Sequence, residues 1–193
     1  MLQDLFISKV RVDILKLLLL NPGKSFHVRG IVRAVEVEIN AIRRELARLE
    51  GISLVVKRQS GNRIYYTANT SHLYYPELVS LLAKEGDFVQ TLLKKIKDMG
   101  KVRFISMAKE FLRGRDSTPL DVDLFIVGDV KVDILKEIVN EYEKKVGKEI
   151  NYSVMGYDEF MMRKRQQDNF VTRLLIQSRT MIFGDEKEFS SLV

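Results

Sequence analysis

The sequence predicts an α+β protein: a helical first half closed by a short two-stranded ribbon, a helical linker, and a small α/β second half. Two patterns carry this expectation. Apolar residues recur at helical spacing three times before residue 51, then give way to two short β-branched or aromatic runs around the turn signal Ser60-Gly61-Asn62. Beyond residue 100, short apolar runs alternate with amphipathic stretches, the pattern of a sheet covered by helices. The boundaries expected are residues 1–77, 78–99 and 100–193.

In the first part, residues 4–20 place Leu5, Ile7, Val10, Ile14, Leu17 and Leu18 near helical spacing, and Asn21-Pro22-Gly23 stops the run. A second helix is expected over 26–35, with Val28, Ile31 and Val32 inward, and a third over 38–50. At 100° per residue, Ile39, Ile42, Leu46 and Leu49 fall on one side of that third helix. Asn40, Arg43, Arg44 and Ala47 fall on the other, with Arg48 flanking them. Arg bonds guanine bidentately, Asn bonds adenine, and Ala lets a helix approach, so this face suits major-groove reading. The plainer alternative is a solvated helix exterior. Strands are expected over 54–56 and 63–67, and Lys57, Arg58 and Arg63 flank the ribbon tip, where they would lie along a phosphate backbone. Tyr65 and Tyr66 alternate, so one packs inward and one is exposed. Three helices followed by a two-stranded ribbon are the layout of a winged helix-turn-helix.

Charge points the same way. The net charge of +6 resides entirely in residues 1–100, which hold 16 Lys and Arg against 10 Asp and Glu; the rest balances at 16 of each. A basic half suits a polyanion partner. With no cysteine, disulfides and thiolate metal sites are excluded, and His27 and His72 are too few for a histidine-built metal site. The start has no signal-peptide layout, and the run from Leu17 to Leu20 is far too short to span a bilayer, so a cytoplasmic protein with no membrane partner is expected.

The stretch K-V-R-V-D-I-L-K-L-L-L-L-N-P-G-K-S-F-H-V-R-G-I, then I-N-A-I-R-R-E-L-A-R-L-E and G-N-R-I-Y-Y-T-A-N, resembles archaeal and bacterial winged-helix transcriptional regulators of the ArsR-like type over residues 1–80. It departs at Glu38, where such helices often start with Ser or Thr, and at Ser53, where Gly is common. The cysteine metal-sensing box of the metal-responsive members is impossible here. Residues 72–100 are helical in character, with Leu78, Leu81, Leu82, Phe88, Leu92, Leu93 and Ile96 recurring around Gly86. That stripe suits either a homodimer interface or packing within the chain.

In the second half, strands are expected over 102–105, 122–127 and 149–154, with a last extended piece over 179–183. Helices are expected from Ser106 to 111 and over 131–146, 158–165 and 169–177. In the longest of them Val132, Ile134, Leu135, Ile138, Val139 and Tyr142 face inward, and Gly147 stops it. Asp121 and Asp123 stand two apart at the mouth of the apolar run Leu124 to Val127, so on a strand both carboxylates project from one face. Such a pair is costly unless something cationic joins it. The layout is that of a magnesium-dependent phosphoryl- or nucleotidyl-transfer site, or of the remains of one.

L-D-V-D-L-F-I-V-G, followed by G-K-E-I-N-Y-S-V, F-M-M-R and M-I-F-G-D, resembles the nucleotidyltransferase-like domain of the polymerase-beta superfamily over about residues 100–190. The resemblance implies that Asp121 and Asp123 are catalytic metal ligands if the site is active. It makes Ser106 the nucleotide-binding Ser of a Gly-Ser pair opening a helix, with magnesium and a nucleoside triphosphate as cofactors. Three positions depart: Ile105 replaces the Gly, Glu110 stands where a Gly is usual, and Asn151 occupies the third carboxylate position, with Glu149 a substitute nearby. The expected function is therefore a DNA-binding transcriptional regulator, a homodimer on double-stranded DNA. Its second domain is catalytically impaired and serves ligand sensing or dimerisation. The alternative is an active nucleotidyltransferase modifying a protein, RNA or small molecule; some relatives are antitoxins, so a toxin partner belongs to that alternative.

Overall fold

The computed structural model describes residues 2–191, which form an α+β chain with a three-stranded and a four-stranded sheet. The chain divides into two compact units, one ending at Glu85 and the other starting at Gly86.

The first unit begins with α1 (Leu2–Phe6) and α2 (Lys9–Leu19). The single helix expected over 4–20 is two, because Ile7 takes a left-handed φ of 55° and the Ser8 hydroxyl caps α2 by accepting the Arg11 N–H at 3.2 Å. Ile7 is 91% exposed and Leu5 71%, so neither belongs to the core. The buried side of α2 is instead Val12, Ile14, Leu15, Leu18 and Leu19. The next expected helix also starts late: Phe26 and His27 form β1 (Phe26–His27), and α3 (Val28–Val35) follows. α4 (Ile39–Gly51) is capped by the Glu38 carboxylate, which accepts the Ala41 N–H at 3.1 Å, so Glu does here what Ser or Thr does elsewhere. Ile42, Leu46 and Leu49 are buried, while Asn40, Arg43, Arg44, Ala47 and Arg48 are exposed.

The ribbon is β2 (Val55–Ser60) and β3 (Arg63–Ala68), antiparallel, with Ser60 opposite Arg63 across the turn. Because β1 pairs with the other edge of β3, the sheet has three strands in the order β1-β3-β2. Of the two tyrosines, Tyr66 is buried and Tyr65 is half-buried, stacked on His27 at 5.9 Å between centroids. α5 (Tyr75–Lys84) completes the unit, its Tyr75 hydroxyl donating to the Leu19 carbonyl at 3.0 Å. The segment 78–99, expected to be a linker, is therefore shared: residues to Glu85 belong to the first unit and the rest to the second.

The second unit opens with α6 (Asp87–Lys94), followed by β4 (Gly100–Ala108), α7 (Lys109–Leu112), β5 (Leu124–Val130) and α8 (Val132–Val146). Then come β6 (Tyr152–Met155), α9 (Tyr157–Arg165), α10 (Asn169–Ile176), β7 (Arg179–Phe183) and α11 (Glu186–Ser190). The sheet order is β6-β5-β4-β7; β5 and β6 are parallel, joined through α8, and the other pairs are antiparallel. Both faces are covered. Ile105, Met107, Leu124 and Ile126 pack with residues of α6 and α8, and Phe104, Phe125 and Val127 pack with Phe160, Val171, Leu174 and Phe189. Burial on both faces is why β5 reads as a continuous apolar run rather than an alternation.

Three expectations are corrected here. β4 runs on to Ala108, so Ser106 is a strand residue and the helix after it has only four residues. β5 starts at Leu124, so Asp121 and Asp123 lie in the loop before the strand rather than on one strand face. Val132 is 37% exposed, because α8 turns its Leu135, Ile138 and Val139 side to the sheet. Gly147 does end α8, in the left-handed region at φ 67°. Among the described residues no helix is long and apolar enough to cross a membrane.

Candidate functional site

In the first unit a cleft of about 1090 Å³ opens between α3, the start of α4 and the tip of β3. Arg29, Arg33, Arg43 and Arg63 line it together with His27 and Asn62, and no acidic residue does. Arg29, Arg33, Arg43 and Arg63 have no hydrogen-bond or ion-pair partner for their side chains among the described residues, and neither do Arg44 and Arg58. Four guanidinium groups around one concavity repel one another and attract an extended anion. Of the other expected contacts, Asn40 is exposed and unengaged. Arg48 and Lys57 are exposed but already paired, Arg48 with Glu45 at 2.7 Å and Lys57 with Glu50 at 3.5 Å.

Glu45 is the anchor beneath this face. It is 7% exposed and also takes the Arg11 guanidinium at 2.8 Å. Burial pushes its carboxyl up, but the Arg11 hydrogen bond and charge, with those of Arg48, outweigh burial and hold it below its ordinary value. One buried carboxylate thus ties α4 to α2 and fixes the height at which Arg43 and Arg44 are presented. The sequence reading missed Arg29 and Arg33. Their four-residue spacing puts them on one helix side, a legible signal, but whether that side faced solvent or α4 was not.

In the second unit the aspartates stand at one end of the sheet. Asp121 Oδ2 accepts the Thr118 N–H at 2.8 Å, the Thr118 hydroxyl at 2.9 Å and Arg115 at 3.3 Å. The Thr118 N–H foremost, then its hydroxyl and Arg115, hold the Asp121 carboxyl below its ordinary value. Asp123, 3% exposed, accepts the Ser117 hydroxyl at 2.6 Å and the Asn151 N–H at 2.9 Å, both on Oδ2. Its own N–H donates to the Asn151 carbonyl at 2.7 Å, and the Asn151 amide donates to the Thr118 carbonyl at 2.7 Å. Asn151 therefore does stand beside Asp123, just ahead of β6. Glu149 is exposed and Ser106 is buried at 5% exposure within the sheet, opposite Phe125; neither lines the cleft next to the aspartates.

This donor set does not fit a magnesium ion. Mg²⁺ asks for oxygen ligands in near-octahedral array, most of its charge met by carboxylates or phosphates. Here Asp121 already carries a guanidinium, Asp123 is bonded to neutral donors, and the third position is an amide. Among the described residues no group of three or more His, Asp or Glu is placed to hold a metal ion. Nor does a helix begin at Ser106 to offer backbone amides to a phosphate.

Comparison of the chain with protein-family models, curated proteins and solved structures finds no match.

Proposed function

We propose that the chain is a DNA-binding transcriptional regulator of the cytoplasm. Its first unit acts as a winged helix-turn-helix, with α4 as the reading helix and the β2–β3 ribbon as the wing. The observation that carries the reading is the cleft between α3, α4 and the ribbon tip, lined by four arginines with no partner, and by no carboxylate, among the described residues. Arg and Lys on phosphates supply affinity, and side chains on base edges supply sequence choice. Arg43, Arg44 and Asn40, exposed on one helix face, would serve the second task; Arg29, Arg33, Arg58 and Arg63, also exposed, would serve the first. A homodimer would read two half-sites one helical turn, about 34–36 Å, or a multiple apart.

The second unit is read as a nucleotidyltransferase-like domain that has no catalytic role and receives a ligand or a second copy. The commitment of Asp121 and Asp123 to loop hydrogen bonds supports this over an active transferase.

The test is fluorescence anisotropy with double-stranded DNA from the region upstream of the chain's own coding sequence. Arg43→Ala and Arg44→Ala should each weaken binding by about 1–3 kcal/mol if they make bidentate base contacts. Unchanged affinity in both variants refutes the placement of the reading helix.

A further inference from the structure

The aspartate pair poses a charge problem that the chain solves for only one of its members. Asp121 is exposed enough to share water with Arg115 and is paired with it. Asp123 is 3% exposed and no cation pairs with it among the described residues; its two partners, Ser117 and the Asn151 N–H, are neutral and both bond Oδ2. Oδ1 has no partner there, yet it is not among the buried atoms left without one, so it keeps contact with solvent. Asp123 lines a cleft of about 540 Å³, large enough for a drug-sized molecule.

Most of the surface this cleft exposes is apolar, although Glu110, Asp121 and Arg115 also line it. Phe111, Leu120, Val122 and Ile176 line it, with Leu120 75% and Ile176 80% exposed. Two large aliphatic side chains left in water at the rim of a cleft with a buried carboxylate define a ligand in outline: an apolar body and one positive charge. Arg115 and Arg173 offer the opposite attraction, but Arg115 is paired with Asp121 and Arg173 is exposed and solvated. Exposed charges are screened by water and salt while buried ones are screened much less, so the Asp123 carboxylate outweighs the rim arginine, Arg173.

We propose that this cleft binds an organic monocation with an apolar body, a protonated amine, whose charged group seats on Asp123 and whose body covers Leu120 and Ile176. The ammonium donates to Oδ1, completing a buried carboxylate that the protein leaves half-satisfied. This rests on reading the second unit as ligand-receiving rather than catalytic, and is independent of DNA binding.

The test is isothermal titration of the full chain with three molecules of near-equal shape, 2-phenylethylammonium, 2-phenylethanol and 3-phenylpropanoate, and with magnesium chloride alone. The amine should bind about tenfold or more tightly than the alcohol or the carboxylate, the gain expected of one charge-assisted hydrogen bond. Magnesium should give no binding heat and no competition. Asp123→Asn should erase the preference for amine over alcohol. Because that exchange disturbs the Ser117 and Asn151 bonds, Leu120→Ser and Ile176→Ser, at exposed positions, form a second arm; both should weaken amine and alcohol several-fold while keeping their ratio. Equal binding of the three isosteres, tighter binding of the carboxylate, magnesium competing at Asp123, indifference to both rim variants, or no amine binding at millimolar concentration each overturns the proposal. None of these outcomes bears on the DNA anisotropy, so failure here and failure of the regulator reading are separable.

Discussion

Removing Arg29 and Arg33 together isolates the contribution of α3, which sequence reasoning did not assign to the interface. The two residues lie one helical turn apart, both line the basic cleft, both are exposed, and neither has a side-chain partner among the described residues. Replacing them by alanine therefore breaks no hydrogen bond or ion pair among the described residues, and stability should stay within about 0.5 kcal/mol of the parent. On duplex DNA, each phosphate neutralised contributes about 0.9 to the slope of log K against log salt. Two lost contacts lower that slope by about 1.8 per protomer. At roughly 0.1 M salt this equals about an eightfold loss per arginine and about sixtyfold for the pair, independent of DNA sequence. The assay is anisotropy across a salt series on a specific and a scrambled duplex, with thermal unfolding as the control. A parallel drop on both duplexes with the shallower slope supports a backbone-facing α3. An unchanged slope and affinity refute the cleft as the nucleic-acid surface.

Three further outcomes concern stability. Glu45→Gln should cost about 1–2 kcal/mol, after discounting the exposed Arg48 partner, and leave Arg11 without its carboxylate. Since the folded carboxyl titrates below its ordinary value, its contribution is full above the unfolded pKa and lost as pH falls through the folded one; the acid-unfolding curves of parent and variant should converge there. Gly128→Ala should cost more than about 2 kcal/mol in urea unfolding, because φ is 148° and a Cβ would run into the Lys101 carbonyl oxygen beside the β4 bulge. Ser53→Gly should instead stabilise by roughly 0.5–1 kcal/mol, since Ser53 holds a left-handed φ of 58° that glycine adopts without strain.

What the sequence made legible was periodicity, and what it hid was pairing. α4, α8, α9 and α10 appear within a residue or two of their expected spans because their apolar stripes are regular and their caps local, as with Asp168 accepting the Phe170 and Val171 N–H groups at 3.1 Å. β1 was invisible. Two residues, Phe26 and His27, carry no pattern of their own and become a strand only because Tyr65 and Tyr66 stand opposite. Ser106 was misplaced for a related reason: the ends of β4 are set by hydrogen bonds to β5 and β7, which a single strand's composition does not record. The aspartates were found by spacing, but spacing assumed a strand. The loop turns Asp121 toward Thr118 and Arg115, a geometry owed to Thr118-Pro119-Leu120 rather than to the carboxylates.

Asn151 bears on how readily this protein gains a new chemistry. Its carbonyl receives the Asp123 and Leu124 N–H groups, its N–H serves the Asp123 carboxylate, and its amide reaches the Thr118 carbonyl. Exchanging it for Asp, the shortest route to three clustered carboxylates, removes its side chain's donation to that carbonyl and sets a second negative charge beside a buried one. The first step toward a metal triad is thus uphill in folding free energy, before any ion can reward it. A mutational path to such a site must first loosen the loop around Thr118, so the neighbourhood of Asn151 is a barrier to innovation rather than a starting point for it.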